Sequence, residues 1–177
     1  MTALMTWLVP AEGPLRDQLL ATIDRLAAAH DAPRFPPHIT LAPTFDSATG
    51  AAAPALRSLV ADTPPVDVAL TAVGHEPTYF RALYLVAEPS APLAALRETV
   101  HRALAPGSWR FTPHLSLLYS DVPEATKRAI VSGLGIPLPL TVRFDAVELW
   151  ARDDPEVRSW YRVARVALAG RGQHGAR

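Results

Sequence analysis

Two short segments of the chain each combine a histidine with a hydroxyl residue at the spacing of a β-strand. The segments are FPPHITL at 35–41 and FTPHLSL at 111–117. Side chains two apart on a strand point to the same face, so His38 lies beside Thr40 and His114 lies beside Ser116. The aliphatic residues between them face the other way and can anchor each strand to a core. The sequence therefore predicts two matching pairs of an imidazole and a hydroxyl.

Two imidazoles that face each other across a cleft suit acid–base catalysis, because histidine both donates and accepts protons near neutral pH. The hydroxyls beside them can hydrogen-bond anionic oxygens. This set fits in-line displacement at phosphorus, where one histidine deprotonates the attacking group and the other protonates the leaving oxygen. A leaving oxygen that receives a proton in this way needs no metal ion. We therefore predict no cofactor and four catalytic residues: His38, His114, Thr40 and Ser116.

Two other interpretations of these histidines stay open. A single histidine beside a hydroxyl is most often a satisfied polar residue, although a seven-residue pattern that occurs twice is hard to produce by accident. The second interpretation is a metal site with both histidines as ligands. Neither segment holds a carboxylate or a further histidine at ligand spacing, so we predict no metal site.

Composition excludes several other classes of protein. Acidic and basic residues number 17 each, and a net charge of zero argues against a protein that coats long nucleic acid. The chain has no cysteine, which excludes disulfides, zinc–thiolate sites and thiol nucleophiles. It shows neither a secretory leader nor a long apolar stretch. We expect a cytoplasmic monomer that has no membrane partner.

The length of 177 residues fits one compact domain or two closely packed halves. Apolar spacing and proline positions predict strands over 3–9, 38–41, 66–73, 82–86, 114–119, 139–150 and 159–168, and helices over 14–30, 51–61, 92–104 and 123–133. Each histidine strand follows a strand and a helix opened by proline, which predicts a duplicated unit in two facing lobes. We expect a single bilobal domain over 1–170 and a mobile polar tail over 171–177.

The paired motifs resemble those of the two-histidine (2H) phosphoesterases, which are defined by two His-apolar-Thr/Ser-apolar motifs. Three segments, TWLVP at 6–10, YFRALYL at 79–85 and PHLSLLY at 113–119, are similar to the cyclic phosphodiesterase branch of plants and yeast. The resemblance covers roughly residues 4–168. It implies a bilobal α+β fold in which antiparallel sheets line a central cleft and helices lie outside.

The same resemblance implies an activity, the metal-independent opening of cyclic phosphates. The substrate would be a nucleoside 2′,3′-cyclic phosphate, opened to a 2′-phosphate, or ADP-ribose 1″,2″-cyclic phosphate, opened to ADP-ribose 1″-phosphate. An enzyme that acts on RNA ends, either a 2′,3′-cyclic phosphodiesterase or a 2′–5′ RNA ligase-like enzyme, is an alternative. A binding module that holds a cyclic nucleotide without turnover is another, although binding alone does not need two proton-transfer groups. The assignment of acid and base between the histidines stays open.

Aromatic residues are the candidates for substrate binding. Trp7 and Tyr119 match site residues of the cyclic phosphodiesterase branch, and Tyr79 lies at a turn where its ring could stack on a purine. Strict alternation places Tyr119 on the face opposite His114, so it joins the site only if the strand ends or bends there. Packing is the alternative role for all three rings. Outside this set we expect Arg81 to be solvated. We expect Trp150, Trp160 and Tyr161, which fall in the last two predicted strands, to be core residues or cross-strand pairs.

Overall fold

The computed structural model of the chain describes residues 2–170, and the predicted tail at 171–177 lies outside them. The strands are β1 Thr2–Pro10, β2 Ile39–Ser47, β3 Val66–Gly74, β4 Leu83–Ala87, β5 His114–Leu118, β6 Leu140–Arg152 and β7 Tyr161–Ala167. The helices are α1 Pro14–Ala29, α2 Thr49–Val60, α3 Ala91–Leu104 and α4 Glu124–Gly133, with 3-10 turns at Tyr79–Arg81 and Val157–Ser159. Within residues 2–170, no helix is long and apolar enough to cross a membrane.

The two longest helices each carry a proline in the first turn, where a proline gives up no backbone hydrogen bond. Pro14 opens α1, and Leu19 and Ile23 on its inner face are fully buried. In α3 the Ser90 side chain caps the helix by accepting a hydrogen bond from the backbone N–H of Leu93 at 3.4 Å. The predicted strand–helix–strand units are therefore present as β1-α1-β2 and β4-α3-β5.

The strand β2 is longer than the sequence predicts, because a bulge carries it past a proline. Leu4 of β1 pairs with Phe45 whereas Thr6 pairs with Ala42, so β2 has one more residue than β1 between these two pairs. The bulged stretch contains Pro43, which has no backbone N–H to donate to a neighbouring strand. Pairing then resumes to the end of β2.

All the strand pairs are antiparallel, and they form two four-stranded parts that share the long strand β6. One part has the order β2-β1-β6-β7 and the other has the order β5-β4-β3-β6. The first half of β6 pairs with β3, and its second half pairs with β1 and β7. The predicted α+β fold with antiparallel strands is confirmed, and its two parts correspond to the two expected halves.

The helix of each unit packs against a strand of the other unit. Helix α1 packs against β5, and α3 packs against β2, so each unit supplies the helix that covers the histidine strand of the other. The aliphatic residues of both motifs enter this core and are fully buried: Ile39, Leu41, Leu115 and Leu117. This reciprocal packing holds the two histidine strands side by side.

Candidate active site

The two motifs meet where β2 pairs with β5. The pairing consists of one antiparallel pair, in which Ile39 lies opposite Leu115. Both side chains are buried in the shared core. The residues on either side of this pair therefore point the opposite way, away from the helices.

Each histidine stands opposite the hydroxyl residue of the other motif. Counting one residue outwards from the central pair places His38 opposite Ser116 and Thr40 opposite His114. Directly opposed residues on paired strands have Cβ atoms roughly 5 Å apart, and diagonal neighbours are roughly 7–8 Å apart. The two histidines occupy one such diagonal. The four side chains of His38, Ser116, Thr40 and His114 thus form a square on the sheet. It leaves room for a phosphate group between the two imidazoles.

A cleft of about 380 Å³ opens over this square of side chains and includes all four in its walls. Its other walls are mainly aromatic: Trp7, Phe80, Trp109, Tyr119 and Trp160. Two arginines, Arg81 and Arg152, also line the cleft. Predominantly apolar walls with a few convergent polar groups are typical of small-molecule sites.

The imidazole of His38 is fixed on both sides. Its Nδ1 donates a hydrogen bond to the carbonyl oxygen of Pro36 at 2.7 Å, which leaves Nε2 of the neutral ring as an acceptor. The hydroxyl of Tyr119 donates to Nε2 at 3.3 Å. The indole of Trp7 stacks on the imidazole with ring centroids 3.7 Å apart. His38 is therefore held in one tautomer and one orientation.

Burial lowers the pKa of His38 from 6.5 to about 3. The hydrogen bond to the Pro36 carbonyl opposes this shift, whereas the charge of a protonated His114 adds to it. Only 3% of His38 is exposed, so little water is available to stabilise an imidazolium. The ring is therefore neutral at pH 7.

The second histidine repeats the backbone contact of the first in a different environment. Nδ1 of His114 donates to the carbonyl oxygen of Thr112 at 2.8 Å, again two residues before the histidine. Its pKa is lowered, chiefly by burial and further by the Arg81 guanidinium, while the Thr112 carbonyl and the Glu76 carboxylate oppose the shift. His114 is only partly buried. Its ring packs edge-to-face with the ring of Tyr84, and the two ring centroids are 5.2 Å apart.

The structure brings Tyr119 into the cleft because β5 ends at Leu118, immediately before it. Its ring is buried and stacks on Phe35, the first residue of the first motif, with centroids 4.0 Å apart. Burial raises the pKa of the Tyr119 hydroxyl, which keeps its proton. The condition set by strand alternation is met, since the strand ends before the tyrosine.

The two motif hydroxyls both line the cleft but differ in exposure. Ser116 is buried, and its Oγ donates a hydrogen bond of 3.4 Å to the carbonyl oxygen of Phe80. Thr40 is partly exposed and lies opposite Trp7 in the pairing of β2 with β1. Both can turn a hydroxyl hydrogen towards an anionic oxygen in the cleft.

The turn at Tyr79–Arg81 presents a different aromatic ring from the expected one. Tyr79 is not part of the cleft wall; its ring lines a neighbouring depression and packs edge-on against Phe80, with centroids 5.1 Å apart. Phe80 does line the cleft and is 45% exposed. The sequence correctly places an aromatic turn beside the site, but it cannot tell which of two adjacent rings faces the ligand.

Arg81 is held in place instead of moving freely in solvent. Its guanidinium bonds the Glu76 carboxylate at 2.9 Å and lies 4.8 Å over the ring of Tyr84. Tyr84 can take this position only because residue 74 is glycine: a Cβ on Gly74 would come within 2.5 Å of the ring. The expectation of a solvated arginine is wrong, and no local pattern indicates this arrangement, because it depends on the approach of β3 to β4.

Trp150 and Trp160, expected to be core residues or cross-strand pairs, are both only partly buried. Trp160 lines the cleft, and its ring centroid lies 6.0 Å from those of both Phe80 and Trp7. Trp150 packs against Trp7 with centroids 4.5 Å apart. Strand alternation cannot distinguish a face that covers a core from a face that lines a cleft, because both are rich in apolar residues.

Across residues 2–170, no group of three or more histidine or acidic side chains is placed to hold a metal ion. The residues that line the cleft include both motif histidines and no carboxylate. The cleft instead offers two imidazoles, four hydroxyls and two guanidinium groups to a ligand. Such a set matches the oxygens of a phosphate ester.

Comparison with known proteins agrees with this chemistry. The family model described as the 2′-5′ RNA ligase superfamily matches residues 14–156, a range that includes both motifs. A Geobacillus kaustophilus protein provisionally named as a phosphoesterase is 32% identical over 104 residues, which is 56% of this chain and 60% of that relative. The match thus spans less than two thirds of the relative's length.

Solved structures share the fold over nearly the whole chain. A crystallised phosphoesterase is 21% identical with a TM-score of 0.61, and the match covers 96% of this chain and 99% of that one. Escherichia coli LigT in complex with 3′-AMP is 20% identical with a TM-score of 0.58, covering 94% and 98%. A Thermus thermophilus protein, TT0787, is 16% identical with a TM-score of 0.60, covering 96% and 100%.

Proposed function

Because the chain belongs to the 2′-5′ RNA ligase superfamily, we propose that it is a phosphodiesterase that opens ribose cyclic phosphates. The substrates we propose are nucleoside 2′,3′-cyclic phosphates, opened to 2′-phosphates, or ADP-ribose 1″,2″-cyclic phosphate, opened to the 1″-phosphate. The single observation that carries this proposal is the square of His38, Ser116, Thr40 and His114, in which two imidazoles face one volume across paired strands.

The square supports an in-line displacement. A water molecule attacks phosphorus, and one imidazole accepts its proton. The bond from phosphorus to O3′ breaks on the far side, and the second imidazole donates a proton to O3′. The product is a 2′-phosphate and a free 3′-hydroxyl, and the pair of histidines has exchanged protonation states. Solvent restores the starting state between turnovers.

Because the pKa values of both histidines are lowered, the bound substrate itself has to favour protonation of the ring that acts as the general acid. In the free protein both imidazoles favour the neutral form. A cyclic phosphate carries one negative charge, and an anion within a few ångströms favours the charged form of an imidazole. Binding therefore supplies the imidazolium that the leaving oxygen needs, and it does so only when the phosphate is in place.

The remaining polar groups of the cleft hold the phosphate. Thr40 and Ser116 donate hydrogen bonds to its non-bridging oxygens, and Tyr119 orients His38 through Nε2. Hydrogen bonds to charged groups are each worth about 1.5–3 kcal/mol. Phe80 is 45% exposed and offers an apolar face to the sugar or the base, whereas Trp7 is 2% exposed and supports the imidazole of His38 on which it stacks.

Ligands of a structural relative support a nucleotide as substrate. Crystal structures of E. coli LigT hold 3′-AMP, ATP, NADP⁺ and phosphate. All four ligands carry phosphate, and three of them carry an adenine base. The same class of ligand fits a cleft that has phosphate-binding groups beside aromatic rings.

Turnover of a nucleoside 2′,3′-cyclic phosphate in the presence of EDTA, with separation of the 2′- and 3′-phosphates, tests the proposal. We expect the 2′-phosphate from the wild-type protein and almost none from His38→Ala or His114→Ala. A parallel reaction that offers an RNA end with a cyclic phosphate and another with a 5′-hydroxyl tests for ligation. Tight binding without turnover, or joined RNA as the main product, would overturn the proposal.

A further inference from the structure

A second depression adjoins the catalytic cleft on the same face of the sheet. It has a volume of about 550 Å³ and lies beside Phe35, Pro36 and Pro37, the segment that leads into the first motif. We call it the arginine pocket, after the four arginines in its walls: Arg16, Arg34, Arg162 and Arg165.

The pairing of the strands places the arginine pocket in line with the catalytic residues. Thr40 of β2 lies opposite Trp7 of β1, which lies opposite Glu148 of β6, which in turn lies opposite Arg165 of β7. Directly opposed side chains of an antiparallel sheet share a face. One row of side chains thus runs from the catalytic threonine to an arginine. Neighbouring strands are about 4.8 Å apart, so the backbones of Trp7 and Arg165 are roughly 10 Å apart.

A second row of paired residues runs parallel to the first and also ends at an arginine. Met5 lies opposite Trp150, and Trp150 lies opposite Arg162. Met5 lines the catalytic cleft, whereas Trp150 and Arg162 line the arginine pocket. The rings of Trp150 and Trp7 are in contact, with centroids 4.5 Å apart, so these two rings form the boundary between the two depressions.

A buried carboxylate holds two of the arginines. Glu148 is 2% exposed, and its Oε1 accepts hydrogen bonds from Arg162 at 2.8 Å and from Arg165 at 3.3 Å. Its Oε2 accepts a hydrogen bond from Nε1 of Trp150 at 2.8 Å. Each guanidinium has five N–H donors, so these contacts fix the arginines and still leave donors for a ligand.

The charge of the arginine pocket favours an anion. Its walls carry four guanidinium groups against two carboxylates, those of Asp24 and Glu148. Asp24 lies 3.9 Å from Arg34, and Asp145, outside the pocket wall, pairs with Arg165 at 3.3 Å. The walls therefore carry an excess of two positive charges, or of one when Asp145 is counted as well, in a chain whose net charge is zero.

We propose that the arginine pocket binds a second phosphate group of the substrate while the cyclic phosphate occupies the catalytic cleft. This inference rests on the proposed function and predicts, within its substrate class, a preference for ligands that carry at least one phosphate besides the cyclic one. Two sources share that chemistry: the end of an oligoribonucleotide and the diphosphate of an ADP-ribose cyclic phosphate. A mononucleoside cyclic phosphate fills only the catalytic cleft.

The test compares three substrates on two matched double variants. The substrates are a mononucleoside 2′,3′-cyclic phosphate, a dinucleotide that ends in the same cyclic phosphate, and ADP-ribose 1″,2″-cyclic phosphate. Arg16→Ala/Arg34→Ala removes two charges from the pocket without touching the Glu148 cluster. The control, Arg128→Ala/Arg143→Ala, removes two exposed arginines that pair with Glu124 and Asp67 away from both depressions.

We expect at least one of the two larger substrates to have a higher kcat/KM than the mononucleotide in the wild-type protein. Arg16→Ala/Arg34→Ala should reduce that advantage by roughly five- to tenfold, through KM rather than kcat, because the second phosphate is bound equally before and during reaction. The advantage should also shrink as salt is added. The control variant should retain it. The substrate that shows the effect identifies the source of the phosphate.

Two outcomes would overturn the inference. One is a wild-type protein that opens the mononucleotide as efficiently as both larger substrates, and the other is an advantage that survives in Arg16→Ala/Arg34→Ala. In both cases turnover of the mononucleotide still stands, so the proposed function is unaffected. Absence of turnover on all three substrates would instead remove the proposed function, and the second site with it.

Discussion

The two histidine motifs share their backbone geometry and differ in their surroundings. In both, the imidazole Nδ1 donates to the carbonyl oxygen two residues earlier, at 2.7 Å in His38 and 2.8 Å in His114. In both, a proline precedes the histidine and a buried aliphatic residue follows it. The duplicated unit thus delivers two imidazoles that have the same tautomer and point Nε2 away from the backbone.

The environments of the two imidazoles are unlike. His38 is buried between Trp7 and Tyr119, and its pKa falls to about 3. His114 is partly exposed and has both Arg81 and Glu76 nearby, and its pKa is lowered with the Glu76 carboxylate opposing the shift. The repeated motif thus fixes the orientation of the two rings, whereas the residues around each ring determine how far its pKa is lowered. Such a difference favours one ring as the general acid and the other as the general base.

The largest expected effect comes from removal of either ring. His38→Ala and His114→Ala should each reduce kcat/KM by about 10²–10⁴, the usual contribution of one general acid or base. Because the rings act as a unit, the double variant should lose less than the product of the two single losses. Steady-state rates on a cyclic nucleotide measure all three. Near-normal turnover in either single variant would show that the two rings do not form a catalytic pair.

The hydroxyls should have the next largest effect. Thr40→Val and Ser116→Ala each remove one hydrogen bond to a charged phosphate, worth about 1.5–3 kcal/mol, which corresponds to a roughly 10- to 150-fold loss in kcat/KM. Thr40→Val should be as damaging as Thr40→Ala, because the methyl group preserves shape but not the donor. Thr141→Val, at an exposed position of β6, is the matched control. Full activity of Thr40→Val would exclude a role for that hydroxyl.

The pH dependence of stability separates the two histidines without any substrate. Unfolded His38 binds a proton near pH 6.5, whereas the folded ring binds one near pH 3. Between these values the unfolded chain holds more protons, so the free energy of unfolding falls as pH falls, by at most about 1.4 kcal/mol per pH unit from this group. Chemical unfolding at pH 6.5, 5.5 and 4.5 measures the slope. His38→Gln should flatten it more than His114→Gln, and equal slopes in both variants would contradict the difference in burial.

The smallest expected effect is that of the Tyr119 hydroxyl, which hydrogen-bonds His38. Tyr119→Phe removes the 3.3 Å hydrogen bond to Nε2 of His38, which favours the neutral ring. We expect a two- to tenfold loss in kcat, in line with about 0.5–1.5 kcal/mol for such a bond, and a shift of the acidic limb of the pH–rate profile to higher pH. A loss of rate without any shift of that limb would mean that Tyr119 acts on the substrate alone.

Much of the fold follows from local sequence patterns. Apolar spacing and proline positions predict every strand and helix within a few residues, and the repeated motif predicts the pairing of the two units. The extension of β2 is the main exception, since a strand normally stops at a proline. Pro43 is tolerated only because a bulge forms against β1, which depends on a strand distant in sequence.

The candidate site also has residues whose placement the sequence predicts and residues whose placement it does not. The placement of His38, Thr40, His114 and Ser116 depends on alternation along two strands, and it can be predicted from the sequence. The contributions of Arg81, Phe80 and Trp160 depend on how the turn at 79–81 and the strand β7 approach the cleft. Neither approach leaves a periodic signal, because it is set by packing between segments far apart in the chain.

The pH dependence of kcat and kcat/KM on a nucleoside 2′,3′-cyclic phosphate, measured in excess EDTA, tests the two-histidine mechanism most directly. We predict bell-shaped profiles whose limbs belong to the coupled pair. Because the pKa values of both histidines are lowered in the free protein, the alkaline limb of kcat/KM should lie below pH 6.5. The limb of kcat should lie higher, since the bound phosphate favours the imidazolium. A flat profile, or activity that EDTA abolishes and zinc or manganese restores, would contradict the account.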